Sequence, residues 1–214
     1  ARRAAQPAKS AFSIGFLTGY EMDWLPAVMN ILRGKLPSTE ITIRSEDSPD
    51  LAAALTRGKI DLAFMRPEKS AAGLQFKLLR HDPILAMMPR DHPLAARSAV
   101  RPKDLAGQSY IGVSAARAPT LRSAINDFFT RHGLAMEVAH QAENLAMAIS
   151  LIASTGGICL LPLYAQNLLP KTIVCRPIQG APPLVDLVLG TMKVTVRRCW
   201  SLFFRVLTRS SFRP

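Results

Sequence analysis

The sequence predicts an α/β fold made of two Rossmann-like lobes joined by crossing strands, and three observations carry that prediction. Apolar strand candidates around Ile14, Ile41 and Leu62 recur around Tyr110, Val138 and Ile158, which lie 96, 97 and 96 positions later. Helical apolar patterns separate the strands in both series, so each reads as one β-α-β-α-β unit. The chain has 214 residues, 49% of them hydrophobic, enough for two small cores when one core serves roughly 100–200 residues. Two similar lobes imply a cleft between them.

Phe12 to Leu17 alternates and is rich in aromatic and β-branched residues, so it is the first strand, and Gly19 allows a tight turn after it. Leu25, Val28, Met29, Leu32 and Leu36 recur at helical spacing from Trp24 onward, until Pro37 closes the helix. Ile41 and Ile43 mark the second strand. Ser48-Pro49-Asp50 opens a second helix, with serine as the cap, proline at the first helical position and aspartate on the dipole. Gly58 stops it, and Ile60–Met65 is a third strand that delivers Arg66 and Pro67 at its carboxyl end.

Gln75–Leu79 and Pro83–Met88 read as two further strands, the second crossing between lobes. The second unit starts at Gln108–Gly112. It continues through a helix from Thr120 with Leu121, Ala124, Ile125, Phe128 and Phe129 on its apolar face, a strand over Met136–Ala142, and a helix over Leu145–Ser154 that Asn144 can cap. Ile158–Pro162 is its third strand. Ile173–Ile178 and Leu184–Leu189 are the last strand candidates, and Val196–Leu207 reads as an amphipathic helix docking on the first lobe. The expected division is 1–11 as a linker remnant, 12–85 with 188–214 as lobe one, and 86–187 as lobe two.

The net charge of +12 suggests nucleic acid, but its distribution argues otherwise. Residues 1–9 and 193–214 hold three and six basic groups and no acid, which leaves 18 basic against 15 acidic groups in the body. That placement favours solvated ends over a basic face. The three cysteines, Cys159, Cys175 and Cys199, fit neither a disulfide framework nor a zinc spacing, so they read as buried thiols in a reducing compartment. No apolar run is long enough to cross a membrane, and no signal-type segment is present, so a cytoplasmic protein is expected.

Right-handed crossovers put strand carboxyl ends and helix amino termini on one rim of each sheet, where free amides favour an anion. The rim residues are Thr18, Gly19, Ser48 and Arg66 on one lobe, with Thr120, Leu121 and Asn144 on the other. Ser48 and Asn144 serve equally well as helix caps, and Arg66 has Glu68 as a possible surface partner. This set binds rather than reacts: no catalytic arrangement, metal signature or cofactor motif is found among His81, His92, His132, His140 or the Gly156-Gly157 pair.

Several motifs in this order resemble the effector-binding region of LysR-type transcriptional regulators. They are Ile14-Gly-Phe16 with Leu25-Pro26, Gly58-Lys-Ile-Asp-Leu-Ala-Phe64 after Leu55, Asp91-His-Pro-Leu-Ala95 with Leu105-Ala106, and Thr155-Gly-Gly-Ile-Cys-Leu-Leu-Pro162. The resemblance covers about Phe12 to Leu189. It implies a type 2 periplasmic-binding-protein-like pair of lobes that holds a small carboxylate or aromatic-acid effector. Met65-Arg66-Pro67 looks closest to the members that control aromatic-compound degradation. By the same resemblance, Gly19, Ser48, Arg66 and Thr120 match effector-holding positions, with Thr18, Leu121 and Asn144 nearby. Gly19 departs from the hydroxyl residue some members carry, which passes the donor role to the backbone or to Thr18.

Family members also carry an amino-terminal helix-turn-helix and linker helix, which do not fit before Phe12. Contact with DNA is therefore expected through a segment absent from this chain, and self-association as a homodimer or homotetramer through the helices at Trp24–Leu36 and Leu121–Arg131. The competing reading is a solute-binding protein of a transport system, which shares the architecture; an enzyme on this fold would have to turn its ligand over.

Overall fold

The computed structural model describes residues 11–35, 37–68 and 71–193. The first unit is β1 (Ala11–Leu17), α1 (Glu21–Lys35), β2 (Glu40–Glu46), α2 (Ser48–Thr56) and β3 (Leu62–Met65). A long strand, β4 (Leu74–Pro89), leads to the second unit: β5 (Tyr110–Val113), α3 (Pro119–Arg131), β6 (Val138–Ala142), α4 (Leu145–Thr155) and β7 (Ile158–Pro162). β8 (Ile173–Arg176) and β9 (Leu184–Met192) follow.

Both units have the same topology. β1 lies between β2 and β3 with all three parallel, Ile14 pairing with Ile43 on one side and Leu62 on the other. β5 lies between β6 and β7 in the same way, Tyr110 pairing with Val138 and Ile158. Each trio is then closed by antiparallel neighbours, β9 against β3 and β4 against β7.

β4 joins the two sheets, and it corrects the expectation of two separate strands. Leu74–Pro83 pairs with β9, whereas Ile84–Met87 pairs with β7 and Ala86–Pro89 with β8. The hydrogen-bonded path is therefore continuous, in the order β2-β1-β3-β9-β4-β7-β5-β6 with β8 on β4, yet each lobe uses its own half of the shared strand. The polar run Arg80-His81-Asp82 separates the two segments in sequence. It stays in the strand because Asp82 turns inward to cationic partners and His81 meets Asp186 across the ladder at 2.7 Å. A register shift between Leu78 and Arg80 accommodates the change of face.

The first lobe has two apolar layers, one on each side of its sheet. Phe12, Ile14 and Phe16 pack with Trp24, Val28 and Leu32 of α1, while Leu51 and Leu55 of α2 pack with Ala63, Met65 and Val188 on the other side. Phe16 and Phe64 stack with ring centroids 4.8 Å apart. The second lobe has one continuous core, which includes Ile111, Ile125, Phe128, Ile152 and Leu160. Tyr164, from a 3-10 turn over Leu163–Leu168, packs into the first lobe's core, so apolar contact as well as β-pairing ties the lobes together.

Helix ends mostly follow the sequence. Asn144 caps α4 by accepting the Met147 N–H at 2.8 Å, and Gly156 ends it at φ +75, a left-handed conformation that suits glycine. Ser48 is a correction: Asp47 is the N-cap residue of α2, and the Ser48 hydroxyl is used elsewhere. Cys159 and Cys175 both pair with Met87, from opposite sides of β4. Two strand spacings, about 9–10 Å, separate them, beyond the roughly 7 Å that a disulfide can span. Cys159 is fully buried, and burial pushes its thiol up to about 12, whereas Cys175, on the edge strand β8, is only half-buried, against the expectation of buried thiols. Cys199 and the helix expected over Val196–Leu207 lie outside the described residues.

Candidate functional site

The rims predicted to hold a ligand do face each other. The cleft between them is lined from the first lobe by Leu17, Thr18, Asp47, Ser48, Arg66 and Glu68. Val113, Ser114, Arg117, Thr120 and Leu121 face them from the second lobe, with Asn144, Pro162 and Tyr164 completing that wall. It encloses about 100 Å³, less than the roughly 150 Å³ of an engineered cavity that takes benzene.

Several side chains already span the gap. Arg117, just before α3, reaches Asp50 at 3.0 Å and Asp47 at 3.7 Å at the start of α2. The Thr120 hydroxyl donates to the Pro67 carbonyl at 2.9 Å, and Asn167 Nδ2 donates to Asp23 Oδ1 at 3.1 Å. The rings of Tyr20 and Tyr164 lie 3.9 Å apart. Burial pushes the Asp47 carboxyl up; Arg117 works against that shift and Asp50 adds to it.

Arg66 is buried, and both terminal nitrogens of its guanidinium are engaged by neighbouring groups. It donates to Asp82 Oδ2 at 2.9 Å, to the Val185 carbonyl at 3.2 Å and to the Tyr20 hydroxyl. Tyr20 in turn donates to Asp82, and Arg80 pairs with the other oxygen of that carboxylate. The backbone N–H of Arg66 donates to Ser48 Oγ at 2.9 Å, which ties β3 to α2. Desolvation pushes the Tyr20 hydroxyl well up from its ordinary value, so it stays a hydrogen-bond donor.

The helix amino termini differ in how well they are satisfied. At the start of α1, Glu21 accepts the Gly19 N–H at 2.8 Å. At α2, Asp47 and Asp50 supply negative charge. α3 begins at Pro119 without any side-chain cap, so the Thr120 and Leu121 amides of its first turn, on the cleft wall, have no capping side chain.

The sequence profile described as "LysR substrate binding domain" matches residues 5–206. The chain belongs to this LysR family. Among curated relatives, the Hca operon transcriptional activator HcaR of Escherichia coli K12 is 25% identical over 189 residues, 86% of this chain and 64% of HcaR. The regulator CatR of Pseudomonas putida is 28% identical over 205 residues, covering 94% of this chain and 70% of CatR. The chain thus spans less than two thirds of HcaR. In fold, the effector binding domain of a BenM variant superposes with a TM-score of 0.81 at 20% identity, over 92% of this chain and 93% of that one. The BenM domain solved with its effector benzoate gives 0.78 at 20% identity, over 94% and 92%.

Against this LysR frame, the structure brings Thr18, Ser48, Arg66, Thr120, Leu121 and Asn144 together around one cleft. Gly19 is not among the lining residues, and its amide is taken by Glu21, so the backbone donor expected there is absent. The Thr18 amide is also occupied, by the Glu46 carbonyl at 3.2 Å, which leaves the Thr18 hydroxyl. Arg66 pairs with Asp82 and not with Glu68. Sequence reading missed Arg117, Glu68, Asp47 and Tyr164. Arg117 sits in the Ala-rich turn before α3, where a single basic residue gives no signal. Tyr164 becomes visible only once its 3-10 turn is seen to lean on the first lobe.

Among the described residues no helix is long and apolar enough to cross a membrane, and no cluster of three His, Cys, Asp or Glu is placed to hold a metal.

Proposed function

We propose that this chain is the effector-sensing region of a LysR-type transcriptional regulator, and that it holds a small acid between its lobes. The observation that carries this reading is the uncapped start of α3, opening into a cleft walled by both lobes in a member of this family. A carboxylate seated on the Thr120 and Leu121 amides would lie beside Arg117. It would then compete with Asp47 and Asp50 for that guanidinium. Effector binding thus changes the contacts that span the gap, and this difference in affinity between lobe arrangements is what a sensor needs. The likeness to the BenM domain solved with its effector benzoate supports an aromatic acid as the effector class.

In the whole protein, DNA would be contacted through a helix-turn-helix not contained in this chain. α1 and α3 would pack antiparallel in a homodimer or homotetramer, in the cytoplasm. The cleft holds its ligand without transforming it, as a pocket of caps, amides and engaged ion pairs does.

A thermal-shift screen of aromatic and dicarboxylic acids tests the reading, since a ligand bound only by the native state raises the melting temperature. At least one acid should raise it in a saturable way, and Arg117→Ala should change its affinity. A screen in which no acid has any effect would reject it.

A further inference from the structure

Glu68 is only 7% exposed, yet it lines the cleft, and its Oε1 has no hydrogen-bond partner among the described residues. A buried carboxylate oxygen left without a donor is costly, so native proteins rarely keep one without a use. Desolvation accordingly pushes this carboxyl up from its ordinary value. The same residue borders a second, more open hollow beside α2, formed with Pro49, Ala52, Ala53, Thr56 and Arg57.

The charges around the cleft give this oxygen a meaning. Its charged lining is Asp47, Glu68 and Glu143 against Arg66 and Arg117, with the Tyr164 hydroxyl beside them. Arg66 is already bound to Asp82, and Arg117 to Asp47 and Asp50. Spare acceptors therefore outnumber spare cations. A bare carboxylate would find its seat at the α3 start but only repulsion near Glu68. We propose that the effector carries, besides its carboxylate, a hydroxyl or amino donor that Glu68 accepts, so that Glu68 selects substituted acids over their unsubstituted parents. This inference rests on the effector-sensing reading above and narrows its ligand class. The small volume of the cleft limits such a ligand to one ring or a short chain.

Calorimetric titration of the chain with matched sets of acids tests it. The sets are benzoate with the isomeric hydroxybenzoates and aminobenzoates, and succinate with malate and aspartate. At least one substituted acid should bind wild type about tenfold or more tightly than its parent, the range of a hydrogen bond to a charged group. Glu68→Leu should bring that ratio close to one, and the parent acid, relieved of repulsion from Glu68, should bind more tightly than it does to wild type. Glu68→Gln, which keeps an acceptor oxygen, should retain most of the preference. Parent and substituted acids binding alike in wild type, or a preference that survives Glu68→Leu, would overturn the inference and leave the sensing role standing. No binding of any of these acids to folded wild type would overturn both.

Discussion

Arg66 and Asp82 form a buried ion pair, 2.9 Å from guanidinium to carboxylate, with side chains only 5% and 1% exposed. The pair fastens the end of β3 to the middle of β4, and Tyr20 hydrogen-bonds to both members. A residue that looks from the sequence like a free ligand for an acid is thus part of the first lobe's frame. Breaking a buried pair from one side leaves the other charge uncompensated, which costs about 3–5 kcal/mol. Arg66→Met should therefore destabilise the chain by that order in urea unfolding, instead of leaving the fold intact. A loss below about 1 kcal/mol would show that Arg80 alone suffices for Asp82.

Gly19 gives a second test. It sits at φ +97, and a Cβ there would lie 2.7 Å from Tyr164 Cε2, across the interlobe contact. Restoring the hydroxyl that some family members carry, by Gly19→Ser, should lower stability by about 1–3 kcal/mol and disturb the Tyr20–Tyr164 packing. An unchanged melting temperature would contradict the strain.

Tyr110 offers the opposite sign. Its ring packs edge-on against Phe129 at 5.3 Å in the second core, while its buried hydroxyl has no partner among the described residues. Tyr110→Phe removes that polar atom and keeps the ring. Stability should stay level or rise by up to about 1 kcal/mol. A clear loss would reveal a partner for the hydroxyl.

Asp104 supplies the pH dependence. It accepts hydrogen bonds from the Arg101 side chain and backbone and pairs with Arg97, and the Arg101 side-chain bonds are the main reason its carboxyl is held down to about 2. The folded value lies below the ordinary 3.8, so the native state binds this proton less readily than the unfolded chain. Its contribution is complete above the ordinary value and is lost as pH falls through about 2. Asp104→Asn should cost stability at neutral pH, and the difference from wild type should shrink between pH 3.8 and 2. A difference independent of pH over that window would assign the effect to geometry alone.

The two-unit plan was legible because it is local and periodic. Alternating residues such as Phe12-Ser13-Ile14, helical spacing such as Val28 to Leu32, and punctuation such as Asn144 and Gly156 each act within one turn or one strand. Their repetition gave the lobes, and the rims gave six of the seven residues named for the cleft. The sequence signal failed where a side chain chose among distant partners. Whether the Ser48 hydroxyl caps its own helix or takes the Arg66 N–H depends on β3 arriving beside it.

By itself, then, the sequence determined which segments pair as strands, which wind as helices, and that two alike sheets would turn the same rim toward a common gap. Backbone periodicity and chain handedness suffice for that. Tertiary structure alone decided how the charges were spent. Arg66 went to Asp82, and Arg117 went to the acids of the opposite lobe, while Glu68 was left with an oxygen unsatisfied among the described residues. Ion pairs and hydrogen bonds form with whatever the fold brings within about 3 Å, and distance along the chain carries no record of that choice.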